Sequence, residues 1–336
     1  MNRIKWSDIS KYRGELFGLA IISVIILHYF GQFNSGDSNR LVFLIAKVYN
    51  GAVGSVGVDI FVLLSGYGLY YSLNNRKELR SYYEKRFQRV LFPYLVVGLL
   101  FWVIIDFILL KESMGQFVFD YSLLSFWMRG VQTFWYIAFI CLMYILSPVI
   151  YKLTTSRIRF MIVLIFSCLI SVIVYIISST YFSNVEIALQ RIPSFFVGML
   201  CGNLSIEESK LQEKRSLFPN WLILILIISV PVKVVVGALN FPFARMFNGY
   251  YALFLIVLYI MLRKEIVKQK FSLFSWFATI GKYSLELYIV HMATRKLMGT
   301  LEIQMKNPFI YCIHVIIVIP LAMCLAQLQK FRLFNR

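Results

Sequence analysis

Long apolar runs alternate with short polar and basic segments along almost the whole chain. A helix needs about 20 mostly apolar residues to cross a bilayer core of about 30 Å. Open strands are excluded in lipid because their edge N–H and C=O groups would lack partners. The pattern therefore predicts an all-α integral membrane protein, a bundle of about ten transmembrane helices, with one membrane-embedded domain over residues 1–336 and no appended soluble domain. The predicted spans are 14–33, 53–73, 90–110, 132–151, 160–180, 187–204, 217–236, 248–262, 277–298 and 308–328.

Composition supports lipid as the solvent. Hydrophobic residues make up 60% of the chain and charged residues only 15%, whereas soluble domains average about 25% charged. The net charge of +18 would suit nucleic acid, but Lys and Arg occur in short clusters between apolar runs, as membrane topology requires. We therefore expect the lipid bilayer, and no nucleic acid, as a partner. The five cysteines have no C-x-x-C or zinc-ligand spacing, so no metal site is expected.

The placement of Lys and Arg also predicts the orientation. If the N-terminus is cytoplasmic, most of the 34 basic residues fall in cytoplasmic segments, as the positive-inside rule requires. An odd number of helices would break this alternation, so both the N-terminus and the C-terminus are predicted to be cytoplasmic. Residues 41–49 are too few to cross the bilayer and are expected to form an interfacial or re-entrant piece.

Two titratable residues stand out in the outer half of the predicted bilayer. His28 lies 15 residues after Arg13, about 22 Å along a helix at 1.5 Å per residue. It suits proton transfer near neutral pH, or it is a packing imidazole bonded to a neighbouring carbonyl. Asp59 is expected at a similar depth, where it either orients an imidazole or caps the start of the second span.

Further candidates lie in the basic and deeper segments. Arg86 and Arg89 are three residues apart and so share a helix face. They suit a phosphorylated ligand or serve as plain positive-inside anchors. Charged or titratable residues at membrane depth mark functional sites or interior pairs, and an aromatic residue near a span end is either an interfacial anchor or a ligand platform. The candidates of these kinds are Arg191, Glu286, His291 and Trp135.

Six segments together resemble the acyltransferase family 3 membrane proteins, many of which O-acetylate cell-surface polysaccharides. The segments occur in this order: RGELFGLAIISVIILH, GVDIFVLLSGYGLYYS, KRFQRVLFPY, TFWYIAFICLMYILSPVIY, RIPSFFVGM and IGKYSLELYIVH. The resemblance covers essentially the whole chain. It implies a multi-pass protein of the bacterial plasma membrane that moves an acyl group, acetyl above all, from cytoplasmic acyl-CoA to a hydroxyl of a cell-surface or lipid-linked glycan.

The resemblance also implies roles for particular residues. His28 would be the general base and Asp59 would orient it, while Arg86 and Arg89, together with Arg13, would hold the phosphates of acetyl-CoA. Acetyl-CoA is a donor substrate here, and no bound cofactor is implied. The family pattern has Arg or Lys eleven positions before the first-span histidine, where this chain has Phe17. Arg13 lies one turn earlier on much the same face, so the arginine role is carried to Arg13.

Two other classes of function remain open from the sequence. A polysaccharide exporter or flippase would also use buried polar residues, but it predicts two repeated halves with broken helices, and no internal repeat is found. A non-catalytic scaffold of a glycan assembly machinery is the second alternative, and Phe17 is its best argument.

Overall fold

The structure is a computed structural model of the chain. Within the residues that it describes, all regular structure is helical and no strand occurs, which confirms the all-α prediction. The described residues are 4–34, 36, 39–54, 56–75, 78–154 and 156, scattered positions from 161 to 177, 184–210, 227–232, 235, 244–266 and 272–334.

Two π-helical turns, Asn50–Gly54 and Val103–Leu109, lie among the α-helices of the described residues. The α-helices are α1 Asp8–Lys11, α2 Arg13–Phe30, α3 Arg40–Tyr49, α4 Val56–Asn74, α5 Leu79–Trp102, α6 Met114–Tyr121, α7 Leu124–Arg129, α8 Trp135–Leu153, α9 Glu186–Leu189, α10 Ile192–Lys210, α11 Asn248–Ile266, α12 Ser272–Lys282, α13 Ser284–Thr300 and α14 Pro308–Phe334.

Seven helical segments among the described residues are long and apolar enough to cross a membrane. They coincide with the predicted first, second, third, fourth, sixth, eighth and tenth spans. Residues 41–49 fall in the short helix α3, and its interfacial placement stays a prediction. The predicted spans 160–180 and 217–236 lie largely outside the described residues, so the count of ten and the orientation of both ends stay predictions. The seven segments are Arg13–Phe30, Val56–Asn74, Leu79–Leu109, Trp135–Leu153, Glu186–Lys210, Arg245–Glu265 and Pro308–Phe331.

The predicted span 277–298 is not one helix, because the chain leaves α-helical geometry at Tyr283. The two pieces pack against different elements: α12 lies against α2, whereas α13 lies against α5 and α14. At Gly281 the backbone of α12 comes so close to α2 that an added Cβ would lie 1.9 Å from the carbonyl oxygen of Gly14. A count of apolar residues does not detect such a break, since both pieces are apolar.

The chain divides into two compact units, and whether they act as one membrane domain stays a prediction. The first unit comprises Met1–Lys77, Ser147–Ile173 and Gln190–Lys282, and the second comprises Glu78–Leu146, Val174–Leu189 and Tyr283–Arg336. In the first, α4 packs against α2, α10 and α11. In the second, α5 packs against α6, α13 and α14, and α13 also packs against α14.

Glycines bring α4 and α10 into backbone contact in the first unit. A Cβ on Gly198 would lie 2.0 Å from the carbonyl oxygen of Leu63, and one on Gly66 would lie 2.3 Å from that of Phe195. Helices in membranes associate through such close packing of small residues, because lipid supplies no hydrophobic driving force between them. Almost all of α4 is buried as a result.

We expect the substitution Gly198→Ala to destabilise the protein. Alanine favours a helix by up to about 1 kcal/mol over glycine, but here its Cβ would strike a backbone oxygen that cannot rotate away. Overpacking of this kind costs about 1–3 kcal/mol or more, so the melting temperature of the purified protein in detergent should fall by several degrees. Gly299→Ala in α13 is the matched control, because no atom lies within 4 Å of the added Cβ. Equal melting temperatures for the two variants would contradict the close approach.

Candidate active site

A polar cluster in the second unit is built around Arg89 of α5. Its guanidinium forms two hydrogen bonds with the carboxylate of Glu286 on α13, the longer one 3.4 Å from Nη2 to Oε2. Nη1 also donates to Oε1 of Gln329 on α14, at 2.7 Å. The Nε2 of Gln329 in turn donates to the carbonyl oxygens of Gln88 and Arg89, at 3.0 and 3.2 Å. Helix α5 and the two consecutive helices α13 and α14 therefore meet at one guanidinium.

The two charges of this cluster differ in exposure. The side chain of Glu286 is 0% exposed and that of Arg89 is 44% exposed. A planar guanidinium held from one side by a carboxylate and an amide has a fixed orientation, and its remaining N–H groups stay able to bind an anion. Arg86 lies one turn earlier on the same helix face and is half-buried. The cluster can therefore bind phosphate or carboxylate without first ordering a flexible side chain.

A second polar cluster surrounds Asp59 in the first turn of α4. Ser194 Oγ donates to Asp59 Oδ1 at 2.9 Å, and Asn248 Nδ2 donates to Oδ2 at 3.1 Å. Nε of Arg191 lies 3.5 Å from Oδ2. All four side chains are buried, so the ion pair is shielded from solvent and Asp59 ties α4 to neighbouring elements. Asp59 therefore does more than cap the start of α4.

His28 lies in the last turn of α2 and is half-buried. Its carbonyl oxygen accepts a hydrogen bond from Nε2 of Gln32 at 3.2 Å, which closes the end of the helix. The contacts described above for Asp59 are to Ser194, Asn248 and Arg191, and the orientation of His28 by Asp59 stays a prediction.

Arg13 extends along α2 toward α4. Its guanidinium carbon lies 5.1 Å from the ring centroid of Phe17, and its Nη2 donates to the carbonyl oxygen of Leu64 at 3.3 Å. Gly68 leaves the space that this requires, since a Cβ there would lie 2.4 Å from Nη2. The Phe17 ring is stacked on Phe61 of α4, with centroids 5.6 Å apart. The positive charge of Arg13 thus lies over Phe17, the position where the family pattern expects a basic residue.

The family model described as an acyltransferase domain, that of acyltransferase family 3, matches residues 18–328, nearly the entire chain. The chain belongs to acyltransferase family 3. Neither a curated protein nor a solved structure matches the chain. Its polar clusters are therefore considered as parts of a membrane acyltransferase.

Two further candidate site residues, Trp135 and His291, are buried in the second unit. Trp135 begins α8 and is only 6% exposed, with its ring 6.1 Å from that of Tyr136. Its burial within the protein differs from the lipid contact expected of an interfacial anchor. His291 is fully buried, with its ring 5.1 Å from that of His314. His314 in turn is hydrogen-bonded to Thr294 at 2.8 Å. Whether His291 binds substrate or only packs within the unit stays a prediction.

Among the residues that the structure describes, no group of three or more His, Cys, Asp and Glu side chains could hold a metal ion. The sequence-based expectation of no metal site concerns the whole chain and stays a prediction.

Sequence reasoning identified the charged members of both clusters but missed their neutral partners. Ser194, Asn248 and Gln329 carry no charge and lie in ordinary helical sequence, so neither hydropathy nor spacing distinguishes them. The sequence also assigned no partner to Glu286. The actual partner, Arg89, is 197 residues away along the chain.

Asp59→Asn should destabilise the first unit. The substitution removes the negative charge opposite buried Arg191. The new amide nitrogen also replaces one of the two accepting oxygens, either the one that faces Asn248 and Arg191 or the one that accepts from Ser194. Breaking a buried ion pair by removing one partner costs about 3–5 kcal/mol, which a thermal melt in detergent will register. Glu84→Gln is the control, because Glu84 pairs with Arg80 on the surface and such pairs contribute about 0–1 kcal/mol. If the melting temperature of Asp59→Asn is as high as that of Glu84→Gln, the Asp59–Arg191 pair does not stabilise the protein.

Proposed function

We propose that the protein is a membrane O-acyltransferase, and specifically an O-acetyltransferase, that transfers the acyl group of cytoplasmic acyl-CoA to a hydroxyl of a cell-surface or lipid-linked glycan. The observation that carries the proposal is family membership across residues 18–328. The seven long apolar helices support a multi-pass location, for which we propose the bacterial plasma membrane. A glycan assembly machinery is the proposed source of the acceptor.

The proposed binding site for the donor is the basic face of α5. Coenzyme A carries phosphate groups, and arginine binds phosphate through paired, charge-assisted hydrogen bonds. Arg89 suits this task because Glu286 and Gln329 hold its guanidinium while 44% of the side chain remains exposed. Arg86 adds a second positive charge one turn away. Glu286 pairs with Arg89, so the charge of Arg86 adds to the attraction of this face for the donor.

His28 is the proposed general base of the transfer. Its imidazole takes the proton of the acceptor hydroxyl as that oxygen attacks the carbonyl carbon of the thioester. The C–S bond then breaks, the new ester holds the acyl group, and the imidazolium of His28 returns the proton to the CoA thiolate, which leaves as the thiol. Positioned base catalysis contributes about 10²–10⁴-fold to such reactions. Asp59 is proposed to favour the protonated imidazole, and Arg13 to supply the basic residue that the family pattern has near position 17.

The O-acetyl content of surface polysaccharide, measured by proton NMR, tests this function. Three strains are compared: one lacking the gene, the same strain complemented with wild type, and the same strain complemented with His28→Ala at matched membrane levels. We expect the acetyl signals to vanish on deletion, return with wild type and stay at least 100-fold reduced with His28→Ala, since the base is gone. Ile316→Ala is the control variant, because Ile316 is 66% exposed on α14 and should restore the signals.

Two results would overturn these assignments separately. Full acetylation with His28→Ala would remove the histidine from the mechanism while leaving the acyltransferase intact. Unchanged acetylation together with a loss of surface polysaccharide in the deletion strain would favour an exporter over the acyltransferase.

Arg89→Lys should weaken binding of radiolabelled acetyl-CoA to the purified protein. A lysine is a single point charge and cannot bond Glu286, Gln329 and a phosphate with a rigid fork of donors. Loss of one charge-assisted bond, about 1.5–3 kcal/mol, corresponds to a dissociation constant roughly 10–150-fold higher. Arg80→Lys is the matched control, because Arg80 lies on the same helix and is 89% exposed beside Glu84. Equal affinities for the two variants would place the donor elsewhere.

A further inference from the structure

An apolar groove runs along α5, α13 and α14 in the second unit. Its volume is about 300 Å³ and its walls expose only apolar surface. The groove is open along one side rather than enclosed. Its walls on α5 and α14 belong to segments that are apolar enough to cross a membrane. The walls include Val96, Leu100, Ile104, Val290, Leu297 and Leu325.

The Arg89 cluster lies at one end of this groove. On α5 the wall begins at Val96, seven residues or two turns after Arg89, and on α13 it begins at Val290, one turn after Glu286. On α14 the wall residue Leu325 lies one turn before Gln329. Residues at these spacings share a helix face. Each of the three helices that form the groove therefore contributes one member of the polar cluster at its end.

The polar end is positively charged and accessible. Arg89 pairs with Glu286, and Arg86, one turn away on the same helix face, adds a further positive charge. The side chain of Arg89 is 44% exposed, whereas that of Glu286 is fully buried. An anion approaching this end meets the arginine first.

We propose that the groove holds a hydrocarbon chain of an anionic phospholipid whose phosphate lies against Arg89. The seven residues from Arg89 to Val96 rise only about 10 Å along the helix, so the ligand must carry its negative charge close to its chain. A phospholipid does so, because only the glycerol backbone separates its phosphate from its chains. In a long-chain acyl-CoA the whole pantetheine arm lies between the phosphates and the chain, which is too long for this distance.

Selectivity would come from the headgroup rather than from the chain. Lipid tails are already in an apolar solvent, so a dry groove attracts a chain only weakly. Attraction of a basic residue to an anionic lipid corresponds to roughly a five-fold preference per residue. This inference goes beyond the proposed function, and where both hold, the phosphates of the donor displace that of the lipid at Arg89.

Native mass spectrometry of the full chain tests the proposal without donor or acceptor. The protein is reconstituted in equal amounts of phosphatidylglycerol and phosphatidylcholine, extracted in mild detergent, and its retained lipids are counted. We expect about one phosphatidylglycerol per chain, retained at least about five-fold over phosphatidylcholine. Arg89→Ala should remove this preference. Equal retention of the two lipids by wild type would show an ordinary lipid-facing surface and overturn the proposal.

Groove-filling variants locate the bound chain. Leu100 lines the groove and is 62% exposed, whereas its neighbour Leu99 is 45% exposed and is not part of the walls. Leu100→Trp should lower retention of phosphatidylglycerol about five-fold, and Leu99→Trp should leave it unchanged. If Leu100→Trp does not fold, the pair Leu321→Trp in the groove and Met323→Trp outside it makes the same comparison on α14. Equal retention by the members of a folded pair would overturn the location.

Because no donor or acceptor is present, these outcomes are separate from the acetylation assay. A failure of lipid retention leaves the acyltransferase proposal standing, and the loss of acetylation in His28→Ala does not bear on the groove.

Discussion

A charged side chain inside a membrane helix must find a partner in another helix, because hydrocarbon offers none. Each unit of this acyltransferase contains such a pair. Asp59 of α4 lies opposite Arg191, and Glu286 of α13 bonds Arg89 of α5. Since the members of a pair come from distant parts of the chain, each pair determines which helices lie side by side. The apolar surfaces alone would not determine which helices are neighbours. An apolar helix face gains no hydrophobic driving force from leaving lipid for another helix.

The two ion pairs differ in what they can do besides hold helices together. Asp59 and Arg191 are both buried, and Asp59 also accepts hydrogen bonds from Ser194 and Asn248, so both charges are shielded from solvent. Arg89 bonds Glu286 and Gln329, and 44% of its side chain remains exposed. A buried pair is costly to break, whereas a half-exposed arginine retains donors for a ligand. This difference in exposure is the physical reason for assigning ligand binding to the Arg89 cluster and a positioning role to the Asp59 cluster.

The sequence was sufficient for the membrane class, the family and most of the helices, since these depend on composition and on local patterns. Arg191 and Glu286 were also recognisable, because a charge at membrane depth is conspicuous, and Arg89 was recognisable because it shares a helix face with Arg86. Their pairing was not, since no local signal joins Arg89 to a residue 197 positions away. The break at Tyr283 was missed for a related reason: it depends on which helices the two halves pack against, and hydropathy carries no information about packing partners.

The glycines of α4 and α10 and the hydrogen bonds of Asp59 depend on the same close approach of the two helices. The hydroxyl of a serine extends only one carbon beyond the backbone, so Ser194 reaches Asp59 at 2.9 Å only if the two helices lie unusually close. That closeness is present at Gly66 and Gly198, where an added Cβ would overlap a carbonyl oxygen of the facing helix. Farther along α4, Gly68 leaves room for the guanidinium of Arg13 in the same way. The segment GVDIFVLLSGYGL thus combines a carboxylate with the small residues that allow its partners, and the basic residue beside Phe17, to approach.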